Sequence, residues 1–322
     1  MKILYRLSDL RGTLRRPVVT LGAFDGIHLA HQTILRSVIR RARKIHGTSV
    51  VLTFHPHPLQ VLRPDISFSS LTCIEHRLRL LSRLGLDLCV VLRFSKRFSR
   101  VSAEDFIKRI LVRRLGVREV WAGFNYAFGR DRRGSVQLLK AYGRRYHFRV
   151  KVIPEIKAGG RRISSTQIRQ RIAKGNLDGA ARLLGRPYSL YGKVVKGKGR
   201  GKRLGYPTAN LCPYHEAILP KGVYAVWASV GAKGYLGILN IGTRPTFETK
   251  PKVIPEVHLL DFRGNLYGKK MEVFFLKKIR KEKKFLTQEA LVRRIQKDET
   301  FVRKIGLKGL RAILRDRKGR LA

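Results

Sequence analysis

Six short segments combine residue types that could handle phosphate, a planar ring or a proton. The first is GAFDGIHLAH, Gly22 to His31, where two histidines three apart could face one side of a first helical turn. There they would donate to phosphate oxygens beside the free N–H groups of a helix N-terminus. The same spacing also suits a zinc ligand pair or plain surface histidines. TFHPHP, Thr53 to Pro58, holds two prolines that fix a rigid loop, with a structural turn as the alternative. GFNYAFGRDRRG, Gly123 to Gly134, offers an amide and aromatic rings to a planar heteroaromatic ligand, or is an ordinary aromatic loop. ISSTQIR, Ile163 to Arg169, places three hydroxyls and an arginine at a helix start, more than capping alone requires. In GKGRGKRLGYPTAN, Gly197, Gly199 and Gly201 alternate, so that backbone could close on polyphosphate, while Thr208 and Asn210 could hold Mg²⁺ and phosphate oxygens. In PEVHLLD, Glu256 and His258 alternate with Val257 and Leu259, which puts both on one face of a strand and makes Glu256 a candidate base.

These segments need elements to position them. The first half alternates short apolar runs at 17–22, 49–54, 87–94, 118–123 and 148–154 with helical patterns at 29–46, 75–84, 102–115 and 134–146. Ser102 and Asp105 form a capping-box-like pair at the third helix. Strands separated by helices predict a parallel sheet covered on both faces. GAFDGIHLAH, TFHPHP and GFNYAFGRDRRG then all follow strands, where such sheets bind ligands. Two short helices, Ser164 to Lys174 and Leu177 to Leu184, close this half. Strand-like runs at 189–195, 222–230, 234–241, 255–262 and 271–276 follow, with turn signals between them, and predict an antiparallel sheet or small barrel. Helical spacing returns over 287–304, and a basic tail from Arg311 is expected to fray. The boundary falls at Gly185-Arg186-Pro187, giving domains 1–186 and 187–322.

With 322 residues, 43% of them hydrophobic, the chain has material for two packed domains and is not a disordered segment. It holds no apolar run of about 18 residues, which argues against a transmembrane helix. Its start reaches charge within a few residues, unlike a secretory leader, so a cytoplasmic location is expected. Cys73, Cys89 and Cys212 have neither disulfide-framework nor metal-ligand spacing and read as reduced, mostly buried thiols. Seventy Lys and Arg against 21 Asp and Glu give a net charge of +49, a field that attracts polyanions. The excess is spread along the chain, from Arg36, Arg40 and Arg43 to Lys277, Lys281 and Lys284, as on a solvated surface. Nucleic-acid binding is expected only as a non-specific effect of that charge, and no membrane partner is expected.

Together, and in this order, the motifs resemble the bacterial bifunctional riboflavin kinase/FMN adenylyltransferase (FAD synthetase) family, from about Thr20 to Asp298. GVYAV (222–226), NIGTRPTF (240–247) and LYGK (266–269) add to the likeness. The resemblance implies a Rossmann-like nucleotidylyltransferase domain followed by a six-stranded antiparallel β-barrel with a C-terminal helix. It implies riboflavin, FMN and ATP as substrates, FMN and FAD as products, and Mg²⁺ as cofactor. In the first domain it implies Gly22, Phe24, Asp25, His28, His31, Ser164, Ser165, Thr166 and Arg169 for ATP, and Pro56, Pro58, Asn125 and Phe128 for the flavin. In the second it implies Gly197, Gly199 and Gly201 around ATP, Thr208 and Asn210 for Mg²⁺ and ATP, and Glu256 as the base.

The chain departs from the family pattern in places. Ala30 stands where the HxGH motif has glycine, Ser135 where an acidic residue is more usual, and Phe124 beside the flavin loop.

Overall fold

In the computed structural model, which describes residues 1–66, 68–196, 201, 204–213, 219–231, 233–244 and 252–318, the apolar runs of the first half become strands. They are β1 (Lys2–Leu4), β2 (Val18–Leu21), β3 (Ser49–His55), β4 (Leu88–Arg93), β5 (Glu119–Gly123) and β6 (Arg149–Ile153). One sheet holds them in the order β1-β4-β3-β2-β5-β6, with every pairing parallel. The edge strand β1 was not expected, being too short to show a period. Around the sheet run α1 (Leu29–Lys44), α2 (Pro58–Leu62), α3 (Ile74–Arg83), α4 (Lys96–Ser99), α5 (Ala103–Asp105) and α6 (Val136–Arg145). A short hairpin, β7 (Lys157–Ala158) with β8 (Arg161–Arg162), follows the last of the six strands.

The chain divides into two compact units, one of Met1–Ser70 with Ile74–Ser164, the other of Leu71–Cys73 with Ser165–Ala322. In the first unit the sheet is packed on both faces. Val50, Leu52 and Phe54 of β3 meet Phe106, Ile107 and Leu111 on one side. Val51, with Cys89 and Val91 of β4, meets Leu35 and Ile39 of α1 and Leu78 and Leu81 of α3 on the other. This is why β3 is apolar without alternation: each residue has a helix to meet. Arg41, near the end of α1, chelates the Glu119 carboxylate through Nε at 2.9 and 3.0 Å, fixing that helix end to the start of β5.

The second unit starts with α7 (Ser165–Ala173) and α8 (Leu177–Leu184), which pack together. Six strands follow: β9 (Ser189–Val195), β10 (Ala209–Pro213), β11 (Gly222–Val230), β12 (Lys233–Arg244), β13 (Lys252–Leu259) and β14 (Lys270–Arg280). They form a closed antiparallel barrel in the order β10-β13-β12-β11-β14-β9. Leu211, Leu239, Ile241, Val257 and Tyr224 are fully buried, whereas Val223, Ala225 and Ile238 pack instead against Val302 of α9 (Gln288–Lys318). Arg280 of β14 reaches the buried Asp298 carboxylate at 2.9 Å, a charged tie between barrel and helix, and Arg294 of the helix itself joins it at 3.2 Å.

The fold class matches the expectation; several details do not. The helix expected over 102–115 is α-helical only at Ala103–Asp105 and continues as a π-helix over Phe106–Arg114, with the Leu115 N–H donating to Ile110 O, five residues back, at 3.0 Å. Ser102 accepts from the Asp105 N–H, but the Asp105 carboxylate pairs with Arg109, so the capping pair is one-sided. The tail from Arg311, expected to fray, is helical as far as Lys318. The sixth barrel strand, β10, begins within PTAN and runs on to Pro213, where pattern alone gave no strand. Cys73, Cys89 and Cys212 are free thiols; burial pushes Cys89 up to about 12, while Cys212 is exposed.

Gly129 has φ of 70°, and a methyl there would sit 2.7 Å from Cα and N of Ala103. Gly129→Ala should cost the first unit roughly 3 kcal/mol, from left-handed strain plus overpacking. Gly116→Ala, at φ 57° with open space around it, should cost only about 1 kcal/mol. Urea unfolding of both variants compares them, and equal losses would mean that the loop yields to the methyl.

Candidate functional site

The strands β2, β3 and β5 are adjacent and parallel, so their carboxyl ends open on one edge of the sheet. The strand order turns at β2: β3 lies on one side and β5 on the other. A crevice at such a switch point is where open parallel sheets bind ligands. Three of the six motifs leave the sheet here: GAFDGIHLAH after β2, TFHPHP at the end of β3, and GFNYAFGRDRRG from the end of β5.

The first loop is tightly wound. Phe24, Gly26 and Ile27 all have positive φ, at 48°, 82° and 42°. The winding turns Phe24, 3% exposed, and Ile27 into the core beside Leu35 and Ile39. Phe24 therefore meets the site only from below, edge-on to the His31 ring at 5.2 Å. Gly22 lies close enough to it that a methyl would meet the ring at 3.3 Å. Asp25 is buried. His28 is the N-cap of α1: its Nδ1 accepts from the His31 N–H at 3.4 Å. That bond leaves the ring proton on Nε2, the nitrogen able to donate to a phosphate oxygen. The two imidazoles stack at 3.6 Å between centroids. Burial holds His31 well below the usual histidine range, with the charges of His28 and Arg77 acting in the same direction.

Arg77 belongs to this site although sequence gave no sign of it. It sits on α3, only 2% exposed, and its Nη1 donates to Phe54 O at 3.1 Å. An arginine on an amphipathic helix among 70 cationic residues reads as solvated surface; only the tertiary structure turns it toward the end of β3. Its buried charge adds a fixed positive potential where phosphate would lie.

The other candidates are less gathered. Pro56 is half-buried, and Pro58 is the first residue of α2, capped by His57, so TFHPHP starts a helix as well as turning the chain. Asn125 is exposed at the edge, whereas Phe128, 7% exposed, packs into the core against Tyr126 and Phe106. Phe124 is exposed, with the Arg162 guanidinium over its ring at 5.5 Å. Ser135 caps α6, accepting from the Leu138 N–H at 3.2 Å, which is work an acidic residue would also do. Ala30 is the second residue of α1. Ser164 directly precedes α7, Ser165 begins it, Thr166 is exposed and Arg169 is half-buried.

The barrel gathers its candidates by strand register. Asn210 on β10 is the ladder partner of Glu256 on β13, and Glu256 is in turn the partner of Asn240 on β12. Directly opposed residues point to the same face, so the three form one polar row across three strands. Asn210 is 3% exposed and Thr208 half-buried. Gly201 closes a turn in which its carbonyl accepts from the N–H groups of Leu204 and Tyr206, at 3.1 and 2.9 Å. A side chain on Gly201 would collide with the Tyr206 carbonyl. His258, two residues from Glu256 and on the same face, donates from Nδ1 to Pro207 O at 2.9 Å and so ties β13 to the PTAN segment. Gly197 and Gly199 lie outside the described residues.

Residues 11–167 match the family model of FAD synthetase, and residues 184–306 that of riboflavin kinase. A protein of Buchnera aphidicola subsp. Schizaphis graminum is 37% identical over 307 residues, covering 94% of this chain and 98% of that protein. One of Escherichia coli strain K12 is 38% identical over 288 residues, covering 89% and 91%. Both are named bifunctional riboflavin kinase/FMN adenylyltransferase. A crystal structure from Streptococcus pneumoniae, described as a macrolide-efflux protein, is 34% identical with a TM-score of 0.80, covering 94% of this chain and 98% of that one. Among the described residues no helix is long and apolar enough to cross a membrane.

The depressed His31 has a consequence for stability. Its folded value lies below its unfolded one, so the unfolded chain takes up a proton first as pH falls through about 6.5. The first unit should therefore lose stability between pH 7.5 and 5.5, and His31→Gln should lose less. Thermal unfolding at both pH values checks this; an equal loss in the variant would place the effect elsewhere.

Proposed function

We propose that this chain, which belongs to the bifunctional riboflavin kinase/FMN adenylyltransferase family, performs its two reactions at the two sites described, the kinase on the barrel and the adenylyltransferase at the carboxyl edge of the parallel sheet. The chain phosphorylates riboflavin to FMN with ATP and adenylylates FMN to FAD. One observation carries the reading: both domains stand in one chain, in relatives that carry both activities in their name and share nearly the whole length. Residues 1–186 are assigned to FAD formation and 187–322 to FMN formation. A cytoplasmic location is proposed with it, since both reactions draw on ATP.

In the kinase step the nucleophile is the 5′-hydroxyl of the ribityl chain, which is neutral and gains from a base. Glu256 takes its proton as the oxygen attacks the γ-phosphorus. The bond to the β–γ bridging oxygen breaks, ADP leaves, and the proton passes from the carboxyl group to solvent. The Thr208 hydroxyl and the Asn210 amide oxygen are hard donors of the kind Mg²⁺ takes together with phosphates and water. Among the described residues no group of three or more His, Cys, Asp or Glu could cage a metal alone, so a site shared with phosphate fits this donor set. When bound, Mg²⁺ offsets the charge of the triphosphate. Asn210, next to Glu256 in the ladder, holds the phosphate side of the reaction against the base. Gly201 is assigned to the triphosphate, as are Gly197 and Gly199, which lie outside the described residues.

The adenylyl step needs no base. An oxygen of the FMN phosphate, already anionic, attacks the α-phosphorus, and the bond to the α–β bridging oxygen breaks to release pyrophosphate. The site has to bring two anions together and offset their charge. His28 donates from Nε2, His31 stacks behind it, and Arg77 supplies fixed positive potential. Gly22, Phe24 and Asp25 shape the loop that presents them. By the family resemblance, Ser164, Ser165, Thr166 and Arg169 are assigned to ATP phosphates. Pro56, Pro58, Asn125 and Phe128 are assigned to the flavin, with the exposed Asn125 making the polar contact and the buried Phe128 setting its loop.

Glu256→Ala should lower FMN formation by roughly a hundredfold or more while leaving FMN-to-FAD conversion near the starting rate. His28→Asn, which keeps a capping side chain, should do the reverse. Chromatography of reactions started from riboflavin and from FMN reads both, and loss of both activities from either change in a folded protein would overturn two independent sites. Ala30→Gly should raise FAD formation; an unchanged or lower rate would show that the loop already accommodates the methyl.

A further inference from the structure

The polar row on the barrel has a third member whose task the two reactions leave open. Asn240 is the ladder partner of Glu256 on one side and of Val223 on the other. Val223 packs under Val302 of α9, so Asn240 stands on the outer face of the barrel, as Glu256 does. Its Oδ1 is buried and has no hydrogen-bond partner among the described residues. The amide nitrogen lies toward Gly242, where the Glu282 carboxylate also approaches. A buried amide oxygen without a donor is costly to keep, and in a row of reacting groups it points to a donor that comes with the substrate.

Geometry says which donor. Strands are spaced about 4.8 Å apart, so Asn210, Glu256 and Asn240 form three steps of a line. On the proposed reading, Asn210 is the phosphate and metal end and Glu256 meets the reacting 5′-hydroxyl. One strand further on, away from the phosphates, lies the next part of the nucleophile's own chain. In riboflavin this is the 4′-hydroxyl, a hydrogen-bond donor. We infer that Asn240 Oδ1 accepts a hydrogen bond from the ribityl 4′-hydroxyl, and that this contact aligns the 5′-oxygen on Glu256 and selects a polyol chain over one lacking that hydroxyl. The inference rests on the assignment of Glu256 and Asn210, and it makes Asn240 a specificity residue of the kinase step.

The test compares riboflavin with its 4′-deoxy analogue, which keeps the reacting 5′-hydroxyl, using the full chain with ATP and Mg²⁺. The unaltered protein should prefer riboflavin by about tenfold in kcat/KM, the usual cost of leaving a buried acceptor unpaired. Asn240→Ala should lower activity on riboflavin and bring the preference close to one, with the KM for ATP unchanged. FMN-to-FAD conversion by the same preparation checks that the chain is intact. Where turnover of the variant is too low to follow, quenching of flavin fluorescence by binding reads the same preference. A preference that persists in Asn240→Ala, or is missing from the unaltered protein, overturns the inference, as does a raised KM for ATP, which would place Asn240 on the phosphate side. Glu256→Gln separates this from the underlying reading: full kinase activity in that variant removes the base assignment, whereas the deoxy comparison judges Asn240.

Discussion

A parallel strand packed on both faces has no side chain left over for solvent. In β3 the residues from Ser49 to Phe54 are all buried, alternately toward helices on the two sides. Polar chemistry in such a sheet is confined to the strand ends. The parallel pairing of β2 with β3 and β5 gathers three of those ends on one edge, and the position of the histidine loop, the proline loop and the asparagine loop follows from it. The Arg41–Glu119 pair sits at the opposite end of α1 from His28 and fixes the helix whose first turn carries the histidines.

The barrel places its candidate groups by another rule. Antiparallel strands alternate their side chains between the two faces, so inward Leu239, Ile241 and Val257 build the core while outward Asn240 and Glu256 are left for chemistry. The two sites also differ in charge. The sheet edge gathers a capping histidine, a depressed histidine and a buried arginine, where the proposed function puts two anions. The barrel face carries a carboxylate between two neutral amides, as suits an anionic phosphate donor meeting a neutral alcohol.

Much of this was legible in the sequence. The continuous apolar runs marked β2 to β6 within a residue or two, and the alternation of Glu256 and His258 placed both on one face of β13. What was not legible depends on contacts distant along the chain. Arg77 looks like any surface arginine until α3 packs beside β3, and Asn240 gains meaning only from its register with Glu256. That the Phe24 ring lies in the core was not legible either, since it depends on the left-handed backbone at Phe24 and Ile27. The strand β10 was hidden because PTAN reads as a motif and its five residues are too few to show a period. The π-helical continuation of α5 gives no periodic signal either, since its apolar positions suit an ordinary helix.

Closure of the barrel has a mechanical consequence for the glycine-rich segment. Its two ends belong to β9 and β10, and the pairing of Val195 with Asn210 is part of the seam that joins the first strand of the barrel to the last. A closed sheet has no free edge along which a strand could peel away. Val195 and Asn210 are thus two footings set in the same wall, held against each other by the ladder itself. Asn210 is clamped from both sides, by Val195 on one and by Glu256 on the other, so its distance from Glu256 is set by the wall.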